Sequence, residues 1–171
     1  MKKILFSLLI ALGLAVSARA VLVGFDIGYL TDSKKPYYAA RVGTEFTKDD
    51  SIAHIGEVEL GYTTDSEGGA TASIMPVTVN YRAQIAGNGT FGGYLGAGAG
   101  MAESRFSGLG LSDSNWSFAW QAFAGISYKI SDAAWFDLGA RYIKVSDVKL
   151  FGVNFKVGDD TAIEGGFHFK F

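Results

Sequence analysis

The stretch Thr161 to Phe171, TAIEGGFHFKF, puts Ile163, Phe167, Phe169 and Phe171 on one side of an extended chain and Glu164, His168 and Lys170 on the other. A strand that is apolar on one face and charged on the other suits a transmembrane barrel, where lipid-facing and lumen-facing side chains alternate. The same period of two recurs along the chain. It predicts eight strands, roughly Leu22 to Thr31, Tyr37 to Thr47, His54 to Thr64, Ala72 to Gln84, Thr90 to Glu103, Trp116 to Lys129, Ala134 to Val145 and Thr161 to Phe171. Each is near the ~10 residues that a tilted membrane strand needs. An even number of strands closes an up-and-down antiparallel barrel, so the expected fold class is all-β.

Residues 1–20 read as an export leader: Lys2 and Lys3, an apolar run from Ile4 to Val16, then Ser17-Ala18-Arg19-Ala20. Cleavage after Ala20 is preferred, and Ala18 offers a second small-residue boundary. The run is too short to cross ~30 Å of hydrocarbon. The barrel domain is then residues 21–171, and loss of Lys2, Lys3 and Arg19 takes 15 basic residues to 12 against 17 acidic ones, moving the formal charge from -2 to -5. With no basic run longer than Lys34-Lys35, no nucleic-acid partner is implied. The absence of Cys excludes lipoprotein processing, disulfides and thiolate metal sites.

The connectors predict which end faces which compartment. Lys48 to Ser51, Gly87 to Gly89 and Ser131-Asp132 are tight, whereas Ser104 to Asn115 and Ser146 to Asp160 are long, and Asp32 to Pro36 and Asp65 to Ala70 are modest. From a periplasmic N-terminus the tight ones all fall inside, the usual pattern of outer-membrane barrels. Leu150 to Val157 alternates like a strand extension standing above the membrane. Pro76, which lacks a ladder donor, is expected to mark a bulge.

Parity divides the side chains. One face carries residues such as Phe25, Ile27, Val42, Leu60, Val79, Leu95, Phe118, Ile126 and Leu138. The other holds Asp26, Arg41, Glu45, Glu57, Glu59, Arg82, Asp137, Arg141, Glu164 and His168 among many glycines. Alternation also fits a lipocalin-like soluble barrel with an apolar interior. Against this, the polar face is mostly Gly, Ala and Ser rather than Lys and Glu. Aromatic residues also gather near both strand ends, with Tyr29, Tyr38, Tyr62, Trp116 and Tyr142 outward and Phe46, Tyr81, Phe91, Tyr128, Phe136 and Phe171 towards the periplasm.

The eight-strand layout, Met75-Pro-Val-Thr-Val-Asn-Tyr-Arg82, Tyr94-Leu-Gly-Ala-Gly-Ala-Gly100 and Phe167-His-Phe-Lys-Phe171 together resemble the small outer-membrane β-barrel proteins of the OmpA and OmpX type, including opacity-like porins. The resemblance covers the whole mature chain and implies a place in the bacterial outer membrane. It also implies that Ile163, Phe167, Phe169 and Phe171 form an assembly signal read by the barrel-assembly machinery. No peptidoglycan-binding domain follows, so wall anchoring is not carried over.

In so narrow a barrel the inward charges are expected to plug the lumen as pairs, because unpaired buried charge is costly. The turn at Lys48 to Ser51 sets Arg41 opposite Glu59 or Glu57, and a symmetric last hairpin sets Arg141 opposite Glu164 and Asp137 opposite His168. Other motifs carry less. Gly96-Ala-Gly98-Ala-Gly100 lacks the helix and Lys-Ser/Thr of a phosphate loop. His54 and His168 have no zinc spacing. Asp65-Ser66-Glu67 and Asp159-Asp160 are weak calcium candidates. Asn88-Gly89 reads as a turn, although Asn88-Gly-Thr90 and Asn115-Trp-Ser117 match a glycosylation pattern.

Three function classes follow: a structural or surface-presenting barrel with a plugged lumen, a narrow porin, and a lipid-modifying enzyme or adhesin. The expectation is the first, a monomer in outer-membrane lipid with no enzymatic activity, cofactor or metal; no Ser-His pair stands ready for acyl chemistry.

Overall fold

A computed structural model of the chain describes residues 20–49, 51–87, 89–108 and 110–171. The expected leader with its Ala18 boundary, and Asn88 of the expected turn, lie outside the described residues. The strands are β1 (Val21–Leu30), β2 (Lys35–Lys48), β3 (Ile52–Glu67), β4 (Ala70–Ile85), β5 (Phe91–Gly108), β6 (Leu111–Ser131), β7 (Ala134–Val145), β8 (Val148–Leu150), β9 (Val153–Phe155) and β10 (Gly158–Lys170). Eight of them close into one antiparallel barrel in the order β1-β10-β7-β6-β5-β4-β3-β2, with β8 and β9 forming a separate hairpin. No described helix is long and apolar enough to cross a membrane.

Closure rests on paired backbone groups. Val21 N–H donates to the Phe171 carbonyl at 3.2 Å and Phe171 N–H returns to the Val21 carbonyl at 2.9 Å. At the other end Thr31 N–H donates to the Thr161 carbonyl at 2.8 Å. A closed ladder leaves no sheet edge unpaired in hydrocarbon.

Burial follows parity. Ile27 is 66% exposed and Val79 61%, while Asp26 between Phe25 and Ile27 is 4% exposed. Such exposed apolar residues cover the outside of the barrel, the arrangement lipid favours. Their aromatic members meet across strands: Trp120 with Tyr142 at 5.3 Å, Phe91 with Tyr128 at 5.2 Å and Phe136 with Phe167 at 5.2 Å between ring centroids.

The connectors differ from expectation above the membrane. Ser104 to Asn115 is not a long loop: β5 and β6 continue as paired strands until Gly108 pairs with Leu111, with Gly110 at φ 78°. Lipid imposes no apolar face there, so the strand extension carries no alternation to read. Asp65 to Ala70 is likewise a two-residue reversal, Gly68 (φ 58°) and Gly69 (φ 79°), between paired Glu67 and Ala70. Only Gly takes two such values without steric cost. Leu150 to Val157 is no single strand extension. It turns at Phe151-Gly152 and pairs Leu150 with Val153 and Val148 with Phe155. Val148 and Leu150 are buried, while Val153 and Phe155 remain open to solvent.

Pro76 makes no bulge. Pairing on the β3 side skips Pro76 and resumes in unchanged register, Leu60 with Val77 and Thr63 with Ile74. The missing donor costs one stretch of ladder without inserting a residue. The register shifts instead fall near the periplasmic turns, between Glu45 and Thr47 and between Lys129 and Ser131.

Candidate functional site: the charged lumen

Because β strands alternate, each inward charge is delivered to the barrel axis by its position in the ladder. The register pairs Arg41 with Glu59, one of the two expected partners. In the last hairpin the register is offset by two residues from the expected one: Arg141 faces Ala162, Glu164 faces Gly139, Asp137 faces Gly166 and His168 faces Trp135. The cause is that β10 begins at Gly158 rather than Thr161, so the connector is not centred where a symmetric hairpin would put it. A shift of two preserves parity, and the side chains still meet diagonally.

Arg141 is fully buried and forms a fork on Glu164, Nε to Oε2 at 2.8 Å and Nη2 to Oε1 at 2.9 Å. Its Nη1 donates across the lumen to Glu59 at 2.8 and 3.1 Å. Arg41 donates to Asp26 at 2.5 Å and lies 3.5 Å from both Glu57 and Glu59 and 4.0 Å from Glu164. Arg82 bonds to Asp137 at 2.5 Å and to Gln84 at 2.6 Å. His168 Nε2 stands 3.1 Å from Asp137 and 3.4 Å from Asp26, with its ring stacked on Trp135 at 5.6 Å. Nine of the ten inward residues read from the sequence therefore form one contiguous buried cluster. Glu45 does not join it; it sits at the periplasmic rim, bonded to Lys170 Nζ at 3.1 Å.

Sequence reasoning passed over the bulky uncharged side chains of the same face. Phe123 lies between the two central arginines, 4.9 Å from Arg141 Cζ and 5.8 Å from Arg41 Cζ. Tyr94 lies under the Arg82 guanidinium at 4.1 Å. Gln121 donates to Glu59, Thr78 and Asn80 at 3.2, 2.9 and 2.9 Å, and the Tyr37 hydroxyl donates to Glu59 at 3.4 Å. The missed signal was parity itself, since Tyr94 shares it with Gly96 and Gly98, and Gln121 and Phe123 share it with Gly125.

Above the charged layers lies an apolar one, Leu30, Tyr37, Ala39, Ala102, Ile143 and Val145 among its buried members. The lumen thus has an external vestibule of about 360 Å³ and a periplasmic one of about 290 Å³. Between them a cavity of about 10 Å³ is lined by Arg41, Arg82, Trp135 and His168 among others, room for about one water molecule.

The remaining candidates sit outside this cluster. His54 bonds to the Tyr81 hydroxyl at 2.6 Å and lies 3.6 Å from Asp49. Asp65 pairs with Lys35 at 2.5 Å, and Asp159 accepts from the Tyr142 hydroxyl at 2.7 Å. Asp160 accepts from the backbone N–H groups of Asp32 (3.0 Å), Ser33 (2.9 Å) and Thr161 (2.7 Å). Burial opposes its ionisation, but the hydrogen bonds from Ser33 and these amides outweigh it and hold the carboxyl below the usual range. Asn115 donates to the Lys149 carbonyl at 3.1 Å. Among the described residues no group of His, Cys, Asp or Glu is arranged to hold a metal ion.

Solved structures share this architecture. The Neisserial surface protein A superposes with a TM-score of 0.69 at 15% identity, over 91% of this chain and 98% of that one. The N-terminal β-barrel domain of Pseudomonas aeruginosa OprF gives 0.56 at 13% identity, over 90% and 98%. Ail, the attachment invasion locus protein of Yersinia pestis, gives 0.54 at 17% identity, over 91% and 100%. No curated protein matches the chain by sequence. The family model for the outer membrane protein beta-barrel domain matches residues 5–171, nearly the whole chain. With its closed ladder, lipid-type exterior and charged interior, the protein belongs to the outer-membrane β-barrel domain family, in the small eight-stranded OmpA/OmpX style, and resides in the bacterial outer membrane.

Proposed function

We propose that the protein is a non-conducting, surface-presenting barrel that braces the outer membrane and holds its external hairpins above it. The observation that carries this is the lumen profile, two vestibules of about 360 and 290 Å³ separated by layers of buried, mutually bonded side chains, where the cavity beside Arg41, Arg82 and His168 holds about 10 Å³. An ion must shed or carry a hydration shell far larger than that, and the blocking side chains are tied to one another by charged hydrogen bonds. Outer-membrane lipid is the partner of the exterior. Export by a leader over residues 1–20, insertion by the barrel-assembly machinery and action as a monomer belong to the same reading. So does the lack of a catalytic role: among the described residues neither His54 nor His168 is hydrogen-bonded to a serine, and their partners are Tyr81 and carboxylates.

The test is bulk permeability. Lipid vesicles carrying the refolded protein should retain potassium and small sugars as long as protein-free vesicles do. Release that scales with protein content would overturn the reading. The second reading, a gated pore, draws on Arg41, which stands within 4.0 Å of Asp26, Glu57, Glu59 and Glu164 and so has alternative partners to exchange.

A further inference from the structure

We propose that the external mouth of the barrel is a binding site for small amphipathic organic cations, molecules with an ammonium-type head and a compact apolar body. The mouth is a concave space of about 360 Å³. This lies within the ~300 to 1,000 Å³ typical of small-molecule sites. Its floor is dry and fixed. Leu30, Tyr37, Ile143 and Val145 are buried members of the apolar layer, with Ile74 and Val157 packed against it. Burying a ligand's apolar body there removes that surface from water.

The rim selects the sign of the ligand. Its ionisable residues are Asp32, Asp65, Asp159 and Asp160 against Lys35. Lys35 is already engaged by Asp65 at 2.5 Å, and Asp159 turns its carboxylate to Tyr142 on the outer face, so Asp32 and Asp160 remain uncompensated by a lining cation. They differ in how much they can offer. Asp160 is committed to the β1–β2 turn through the backbone amides of Asp32 and Ser33. Among the described residues, no side chain pairs with Asp32. Glu59 lies just beneath the floor, bonded by the Tyr37 hydroxyl at 3.4 Å. An anion is therefore repelled, a neutral apolar molecule gains only the floor, and an inorganic cation gains only the rim. An organic cation of fitting size gains both. Binding here requires no flux through the lumen, so this site and the sealed-lumen reading can fail separately.

The experiment is calorimetric titration of the refolded protein in zwitterionic nanodiscs, with empty nanodiscs subtracted. The probes are benzyltrimethylammonium, neutral benzyl alcohol and anionic benzenesulfonate. Saturable one-to-one binding of the cation, at least about tenfold tighter than either analogue and weakened by salt, is the expected result. Asp32→Asn with Asp65→Asn, which also leaves Lys35 without its partner, should weaken it about tenfold. Ala72→Trp, at an exposed wall position, should abolish it by filling the space. Asp49→Asn with Asp132→Asn, outside this pocket's lining, changes net charge equally and should leave it intact. The heat-dependent gel shift of each variant reports that its barrel is folded. Equal affinity for all three probes, equal loss in both Asn pairs, or no saturable cation binding at millimolar concentration would overturn the proposal.

Discussion

Replacing Arg141 with Met should cost the barrel on the order of 3 to 5 kcal/mol, because it strands buried carboxylates rather than removing a contact. The charge balance decides the size. Asp26, Glu57, Glu59, Asp137 and Glu164 are buried with only three arginines, Arg41, Arg82 and Arg141. Losing Arg141 leaves two arginines for the same carboxylates, with Glu59 and Glu164 both deprived of their closest guanidinium. Arg141→Met with Glu164→Gln should recover only part of the loss. Adding Glu59→Gln should recover most of it, since a Gln there keeps Gln121, Asn80 and Tyr37 within reach. Urea unfolding in lipid vesicles measures all three variants. An outward Arg141 would give the opposite sign, because an arginine in mid-membrane costs about 2 to 4 kcal/mol and its removal stabilises.

The second large effect is expected from steric crowding at Gly139. Gly125 and Gly139 face each other across β6 and β7, and a Cβ added to either would collide with the Tyr94 hydroxyl and with a backbone carbonyl of the facing strand, Leu138 for Gly125 and Ala124 for Gly139. Tyr94 cannot retreat freely, since its ring is covered by the Arg82 guanidinium that binds Asp137. Gly139→Val should therefore cost about 1 to 3 kcal/mol from overpacking, and more if Arg82 is pushed off Asp137. Tyr94→Ala should be harmful alone yet relieve part of the Gly139→Val loss, the contact with the Ala124 carbonyl remaining, a coupling that a double-mutant cycle in urea reads directly. Additive losses would show that Tyr94 does not occupy the groove above the two glycines.

These two regions show where sequence reasoning reached and where it stopped. Facing was legible from residues such as Asp26 between Phe25 and Ile27, because lipid and lumen impose opposite demands on neighbouring positions. Arg41 and Glu59 could be matched because a tight turn joins their strands. Arg141 and Glu164 were matched in the wrong register, because the connector from Ser146 to Val157 folds on itself as the β8–β9 hairpin and its residue count does not fix where β10 begins. The strands beyond the membrane, Ser104 to Gly108 and Leu111 to Asn115, were invisible for a related reason: outside lipid both faces meet water and the period of two disappears. Tyr94, Gln121 and Phe123 share the inward parity of the glycines around them, but nothing in an uncharged bulky residue at such a position marks it as filling the space between the charges. The apolar layer under the external mouth was missed likewise, since Leu30 and Ile143 look like lipid-facing residues until their parity is followed.

The most direct measurement of the sealed lumen is single-channel recording of the wild-type protein refolded into a planar bilayer. Steady zero current across the voltage range, with no openings even at low frequency, is expected of a lumen crossed by Arg141, Glu59, Glu164 and Arg41, all buried and bonded to one another. Arg141→Met, recorded alongside, should admit water to Glu59 and Glu164 and produce openings. Discrete, reproducible unitary currents from the wild-type protein would contradict the plug and make the exchange of carboxylates around Arg41 the gate of a pore.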